Sequence, residues 1–380
     1  MDPFTRPHME AARALIGAPG SRQAIPTPAA VLEVEAFERN LARMAARARA
    51  AGLALRPHAK SHKCGWIARR QIAAGAIGIC CAKLAEAEAL AAAGIGAIHV
   101  TSPIVGEAAA RRAAALAGSL EDFRIVIDHP DGAAELGQAA ASPMQVLIDV
   151  DVGTGRTGVS GVEQALEVAR TVAAQPNLNL IGVQGYGGHW QHLEGANARA
   201  SAVAGGMARL SAVVSALRQA GAEIRVVTGG GTGTFEADAA QGVLNEVQPG
   251  SYAFMDREYR EALKDDPDGD FEQALTIAAT VISVNHPRWV TVDAGLKAFS
   301  TDGPLPAAVT AKFAGCGYRF FGDEHGLLMR PEGRDVARGE RVEFAPGHID
   351  PTMDRYDLLW LVRGEVLEDV VPIEARGASQ

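Results

Sequence analysis

Ala76-Ile-Gly-Ile-Cys-Cys-Ala82, then Leu84-Ala-Glu-Ala-Glu-Ala-Leu-Ala-Ala-Ala93, then Ala97-Ile-His-Val100 is the stretch that decides the fold class. It holds a short apolar run, an Ala-rich stretch, and a second apolar run. Apolar runs without polar alternation mark strands buried on both faces, and such strands belong to parallel sheets joined by helices. The same unit repeats on both sides. Upstream, the run at Ala29 reads as a strand and Glu35 to Ala51 as a helix with Phe37, Leu41 and Met44 on one face. Leu53 to Pro57 and Cys64 to Ala74 repeat the pair. Downstream come a helix from Glu107 to Ala117 and strands at Phe123–Asp128, Met144–Val150, Leu178–Gly185 and Ile224–Thr228. Eight strands alternating with helices favour an α/β fold, a (β/α)8 TIM-type barrel, over an open doubly wound sheet.

After about Pro249 the texture changes. Ala274–Val284, Trp289–Asp293, Arg341–Ala345, Leu358–Val362 and Val366–Ile373 are short, β-branched and separated by Gly, Pro or Asp. They predict a C-terminal antiparallel β domain. The expected organisation is an N-terminal segment 1–26, a barrel 27–250 and a β domain 251–380. At 48% hydrophobic and 21% charged residues, the 380-residue chain excludes a disordered or disulfide-stapled class. Cys64, Cys80, Cys81 and Cys316 read as reduced thiols, implying a reducing compartment. Net charge is −9 with scattered Lys and Arg, so nucleic acid is not an expected partner. No apolar run reaches the roughly 18–20 residues of a membrane span, and Met1-Asp-Pro-Phe-Thr-Arg-Pro7 lacks a signal-peptide core. That start reads as a cloning-vector remnant, and the expected location is cytoplasmic. Asp265-Asp-Pro-Asp-Gly-Asp270 reads as a solvated loop rather than a calcium site.

Barrel chemistry gathers at the C-terminal strand ends. The second predicted strand ends Arg56-Pro-His-Ala-Lys60-Ser-His-Lys63, a Schiff-base lysine or a surface basic turn. Neighbouring cations would lower the Lys60 pKa, as attack on a carbonyl requires. The sixth ends Asp149-Val-Asp-Val-Gly-Thr-Gly-Arg156, where Arg156 offers a permanent charge and a donor fork. The seventh ends Gly185-Tyr186-Gly-Gly-His189-Trp-Gln-His192, and the eighth Thr228-Gly-Gly-Gly-Thr-Gly-Thr234, a backbone anion nest. A phosphate cup, a carbonyl-reactive lysine, and an Arg and a Tyr for a ring together suggest pyridoxal 5'-phosphate. In the β domain, His348-Ile-Asp350 presents an imidazole and a carboxylate that suit a divalent metal, Mn²⁺ first, with Mg²⁺, Co²⁺ or Zn²⁺ as alternatives. Asp323-Glu-His325 is a further polar cluster or a plain turn.

Seven ordered motifs now carry a resemblance: Arg56–Lys63, Gly78-Ile-Cys-Cys-Ala-Lys83, Thr228–Thr234, Gly250-Ser-Tyr-Ala-Phe-Met-Asp256, Val292-Asp-Ala-Gly-Leu-Lys297, Asp323-Glu-His-Gly326 and Pro346-Gly-His-Ile-Asp-Pro-Thr352. From about Thr27 to Gly377 the chain resembles the D-threonine aldolase and D-serine dehydratase family of alanine-racemase-like, fold-type III pyridoxal-phosphate enzymes. The resemblance implies a coenzyme-binding barrel, a β domain, a homodimer and a divalent metal. It implies Lys60 as the Schiff-base lysine and Tyr186 near the coenzyme. Thr228, Gly231, Thr232 and Gly233 would form the phosphate cup, and Tyr252 would lie in a coenzyme-contacting segment. His348 and Asp350 would bind metal, and His192 would sit near the substrate's β-hydroxyl. Two departures stand out: Ala82 replaces a common Gln, and Gly187-Gly-His-Trp190 is unlike the relatives. The dehydratases tend to carry Cys where this chain has Asp350. The expected activity is therefore metal-assisted retro-aldol cleavage of D-3-hydroxy amino acids of the D-threonine or D-allo-threonine type to glycine and an aldehyde. The alternatives are a D-serine or D-3-hydroxyaspartate dehydratase, and a D-3-hydroxyaspartate aldolase.

Overall fold

The computed structural model describes residues 5–264 and 270–380. The Asp265–Asp270 loop falls almost wholly outside the described residues. The strands, in chain order, are β1 Ala29–Glu33, β2 Ala54–Leu55, β3 Ile79–Cys81, β4 Ala97–Val100, β5 Asp122–Ile127, β6 Met144–Asp149, β7 Leu178–Gly185, β8 Val226–Gly229 and β9 Glu246–Val247. They continue with β10 Leu275–Ser283, β11 Trp289–Val292, β12 Ala307–Ala308, β13 Tyr318–Phe320, β14 Gly326–Met329, β15 Arg341–Ala345, β16 Leu358–Arg363 and β17 Val366–Pro372.

Eight parallel strands run in the order β2-β9-β8-β7-β6-β5-β4-β3. A bridge between His58 and Cys80 joins the two ends, with Cys80 N–H donating to Pro57 O at 2.8 Å. Alternate side chains such as Ile98, Val100, Ile125, Ile127, Val146 and Ile148 pack outward on the helices. The inward set begins with an apolar layer, Val126, Leu147 and Ile181. Toward the other end of the interior it turns polar: fully buried Arg56 pairs with Asp122 at 2.8 Å and Glu246 at 3.3 Å, and Arg124 bridges the same two carboxylates. Gly78 lies at φ 153, and a Cβ there would come within 2.3 Å of the Arg56 guanidinium, so only glycine fits.

The barrel was expected, but its first and last strands differ from expectation. β1 is not a barrel strand. It pairs antiparallel with β10 and parallel with β16 in the second sheet, whose order is β13-β14-β11-β10-β1-β16-β17, with β15 between β10 and β12. Its Ala30 and Leu32 face the main core, while Ala29 and Val31 pack with Trp360 and Val362. An all-apolar strand leading into a helix looks the same from sequence wherever its sheet partners lie. The barrel's remaining strand is β9, two residues long and carrying a buried Glu246, which gives no apolar run to read. The β domain's five expected strands are present, joined by the short β12, β13 and β14.

Part of the N-terminal segment is helical and packs on the second sheet. A helix spans Thr5–Arg13, and Met9 and Ala12 pack with Trp360 and Leu367. All four cysteines are free. Among the described residues one helix, Ala196–Gln219, is long and apolar enough by composition to cross a membrane, although Ala, Gly and Arg interrupt any continuous apolar run. Here its buried Val203, Met207, Leu210, Val213 and Leu217 belong to the main core, in the barrel's outer ring.

Candidate active site

The site forms where four barrel strand ends, those of β2, β6, β7 and β8, meet the β domain. Lys60 lies in a 3-10 turn, Ala59–Ser61, directly after β2. Two histidines shape that turn. His58 Nδ1 accepts from Lys60 N–H at 3.4 Å while Nε2 meets Thr101 Oγ1 at 3.0 Å. His62 accepts from Cys64 N–H at 3.0 Å and faces Gln71 at 3.3 Å. Burial holds both rings well below the usual histidine range, His62 at about 4. They are therefore neutral and do not act as the cations expected to lower the Lys60 pKa. Burial does push the Lys60 ammonium down, but the Asp350 carboxylate, with Tyr186 adding to it, outweighs that and raises it overall. Lys60 Nζ makes an ion pair with Asp350 and the side chain keeps 39% of its surface open. Lys63 is committed elsewhere, to Asp354 at 2.7 Å.

Tyr186 follows β7 and acts electrostatically on Lys60. Arg156, exposed on the loop after β6, sets its guanidinium 5.7 Å from the Tyr186 ring centroid. The two groups expected to address a ring therefore adjoin. The cup after β8 is tightly built. A Cβ on Gly231 would meet Gln191 Oε1 at 2.4 Å, and one on Gly233 would meet Gln191 O at 2.4 Å. Gly233 N–H donates to Gln191 Oε1 at 2.9 Å, and Tyr252 N–H donates to Thr232 Oγ1 at 3.1 Å. Two of the residues expected in this region turn their side chains into the protein. Thr228 is fully buried, accepts from Gln248 at 2.9 Å and bonds to Glu246, so its hydroxyl belongs to the barrel interior. The Tyr252 ring packs on Phe271 and its hydroxyl accepts from Gln71 at 3.4 Å, so what reaches the glycine turn is its backbone N–H, on Thr232.

His192, His348 and Asp350 are brought together with Lys60, and each influences the ionisation of His192. Burial lowers the His192 pKa, with the Glu258 carboxylate opposing it. The His192 ring lies 4.5 Å from that of Tyr259. His189 is turned away, its Nδ1 3.2 Å from Thr154 Oγ1 and its ring beside Trp190. Trp190 explains the unusual Gly-Gly-His-Trp loop: a Cβ on Gly187 would sit 2.3 Å from its ring. His348 Nδ1 meets Asp302 Oδ2 at 2.8 Å, which leaves Nε2 for a ligand. Asp350 Oδ2 takes the lysine, while Oδ1 is buried without a hydrogen-bond partner among the described residues. An imidazole fixed from behind and an orphaned carboxylate oxygen fit a divalent cation. No group of three or more His, Cys, Asp or Glu that could hold a metal occurs among the described residues; His348 and Asp350 are the two that would hold one here. A coenzyme likewise fits Lys60 and the Tyr186–Arg156 pair, while in the glycine turn the Gly231 and Gly233 N–H groups are held by Asp238 and Gln191. Asp323, Glu324 and His325 are exposed, with Glu324 paired to Lys297.

Asp256, Glu258 and Asp302 were not singled out from sequence. Asp256 caps its own helix at Tyr259, but its second partner, Ile349, lies 93 residues on, beyond any local signal.

An α/β barrel with a lysine at a strand end, a glycine cup and a β domain closing the site defines an alanine-racemase-like enzyme. Residues 32–258 match the alanine racemase N-terminal domain and residues 274–362 a putative serine dehydratase domain. The chain is 40% identical to a D-threonine aldolase of Arthrobacter sp., covering 94% of each chain. It is 35% identical to a 3-hydroxy-D-aspartate aldolase of Paracoccus denitrificans, covering 93% of this chain and 92% of that one. The crystal structure of a D-threonine aldolase from Filomicrobium marinum superposes with a TM-score of 0.90 at 35% identity, covering 96% and 99% of the two chains. The chain belongs to the D-threonine aldolase family of the pyridoxal-phosphate-dependent, alanine-racemase-like enzymes, and it is a carbon–carbon lyase.

Proposed function

We propose that this enzyme cleaves D-3-hydroxy amino acids of the D-threonine or D-allo-threonine type to glycine and an aldehyde, assisted by a divalent metal. The observation that carries the reading is the Lys60–Asp350 ion pair, with His192 set against Tyr259 and Glu258 on the segment bonded to Gly347, next to His348. Pyridoxal phosphate, when bound, supplies the electron sink for the pair released as Cα–Cβ breaks. A metal on His348 and Asp350 supplies Lewis acidity toward the β-hydroxyl. Lys60 holds the coenzyme, and Arg156 and Tyr186 orient its ring. His192 takes the β-hydroxyl proton, a role that a near-neutral imidazole suits. Asp302 fixes the tautomer of His348 so that Nε2 points at the ligand. Oxygen-rich ligation by Asp350 favours Mn²⁺ or Mg²⁺ over a tightly held Zn²⁺ and supports aldol cleavage over dehydration. A homodimer is part of the same reading and rests on the family resemblance.

Removal of metal by EDTA should abolish glycine release while the coenzyme stays bound, and Mn²⁺ should restore it. His348→Ala and Asp350→Ala should each weaken Mn²⁺ binding, since two ligands leave little redundancy. Full activity in exhaustively demetallated enzyme would contradict the metal's role.

A further inference from the structure

The 256–259 segment touches both halves of the site and no role has yet been given to its acidic side chains. Asp256 is fully buried; its Oδ1 accepts from Tyr259 N–H at 2.9 Å and its Oδ2 from Ile349 N–H at 2.8 Å. Ile349 lies between the two metal ligands His348 and Asp350. Arg257 N–H donates to Pro346 O at 3.0 Å and Glu258 N–H to Gly347 O at 3.1 Å. Met255, just before, is held at φ 52, a backbone region that a non-glycine residue enters only when its surroundings fix it there. The short helix Arg257–Ala262 and its cap Asp256 are thus fastened at three successive residues to the segment that carries His348 and Asp350.

That helix also meets His192. Tyr259 packs on the imidazole, and Glu258 Oε1 lies 3.8 Å from its Nδ1. The Nδ1 atom is buried and has no hydrogen-bond partner among the described residues, although a third of the side chain is open (33%). The other groups that influence His192 are His348 and Asp350 from the β15–β16 connection and Lys60 from the turn after β2. At 3.8 Å the Glu258 contact is longer than a hydrogen bond, and catalytic contacts of this kind often tighten only when substrate is bound. Glu258 is itself 29% exposed, which leaves its carboxylate room to turn.

We propose that Glu258 is the positioning residue of His192, accepting its Nδ1–H so that Nε2 is the nitrogen presented to the substrate's β-hydroxyl. The proposal rests on His192 being the base. With Nδ1–H directed to the carboxylate, the lone pair on Nε2 is free to take the hydroxyl proton, and the imidazolium formed lies beside a negative charge. Asp302 stands in the same relation to His348, so each histidine is backed by a carboxylate from a neighbouring segment. Because the Glu258 backbone is bonded to Gly347, this backing carboxylate is held in register with the metal ligands.

The test is a double-mutant cycle on the coenzyme- and Mn²⁺-loaded enzyme, measuring the single-turnover rate of D-threonine cleavage in wild type, Glu258→Gln, His192→Ala and the double variant. A carboxylate that fixes a histidine ring typically contributes about 10–100-fold, so Glu258→Gln should slow cleavage by that factor with Mn²⁺ affinity and coenzyme absorbance unchanged. Glu258→Asp should recover part of the loss. In the His192→Ala background, Glu258→Gln should cost nothing further, because a residue that acts through another adds nothing once that other is gone. A wild-type rate in Glu258→Gln alongside a slow His192→Ala overturns this proposal alone. An equal fractional loss in both backgrounds also overturns it, by placing the effect of Glu258 elsewhere. A wild-type rate in His192→Ala overturns the base assignment first, and this proposal with it.

Discussion

At the residue scale, the site is built from groups whose neighbours decide their chemistry. Lys60 and Lys63 lie in one turn, yet one faces Asp350 and the other is tied to Asp354. Lys60→Ala should therefore abolish the borohydride-reducible coenzyme linkage and turnover, while Lys63→Ala should keep the linkage; mass spectrometry after reduction reads both outcomes. Asp302 is the counterpart for the metal. With its carboxylate 2.8 Å from His348 Nδ1, Asp302→Ala should weaken Mn²⁺ binding by about 10–100-fold and leave coenzyme absorbance unchanged. An unchanged Mn²⁺ affinity would show that the ring needs no such support. These residues differ sharply in how readable they were. Lys60 and His348 stand in dense local patterns. Asp302 sits in an ordinary Gly- and Pro-rich loop, and only the fold brings it to His348.

At the element scale, the strand-and-helix rhythm from β3 onward was legible because each buried strand is a continuous apolar run. β9 was not legible, because two residues show no period and one of them is a glutamate held by Arg56 and Arg124 inside the barrel. β1 was read as a strand, but its sheet was misjudged, since partners such as Leu275 and Trp360 are more than two hundred residues away. The loop after β7 shows why its glycines are there. Trp190 fills the space beneath Gly187 and against Gly206 of the helix Ala196–Gln219, where an added Cβ would lie 2.0 Å from the indole. Gly206→Ala should cost about 1–3 kcal/mol, read as a lower urea midpoint, and should also reduce turnover because the same loop carries His192. A variant with wild-type stability would mean that Trp190 can move aside freely.

At the scale of the whole molecule, the barrel interior and the β domain divide the work. The interior holds fixed charges and neutral histidines, while the β domain brings the metal ligands to the strand ends. His99 is fully buried in the barrel interior, with Nε2 2.9 Å from Gln184 Oε1. Burial lowers its pKa from 6.5 to about 4. The unfolded chain then binds more protons than the native one between those values. The contribution is intact above pH 6.5 and is lost as pH falls toward 4, by roughly 3 kcal/mol at most. Urea midpoints measured across that range should fall with acidification, and His99→Gln should flatten the fall; a parallel slope in the variant would remove His99 from the cause. The central claim concerns which bond breaks, and product analysis with D-threonine on the coenzyme- and Mn²⁺-loaded enzyme decides it directly. The account predicts glycine and acetaldehyde in equal amounts with no ammonia, whereas 2-oxobutanoate and ammonia in place of glycine would contradict it.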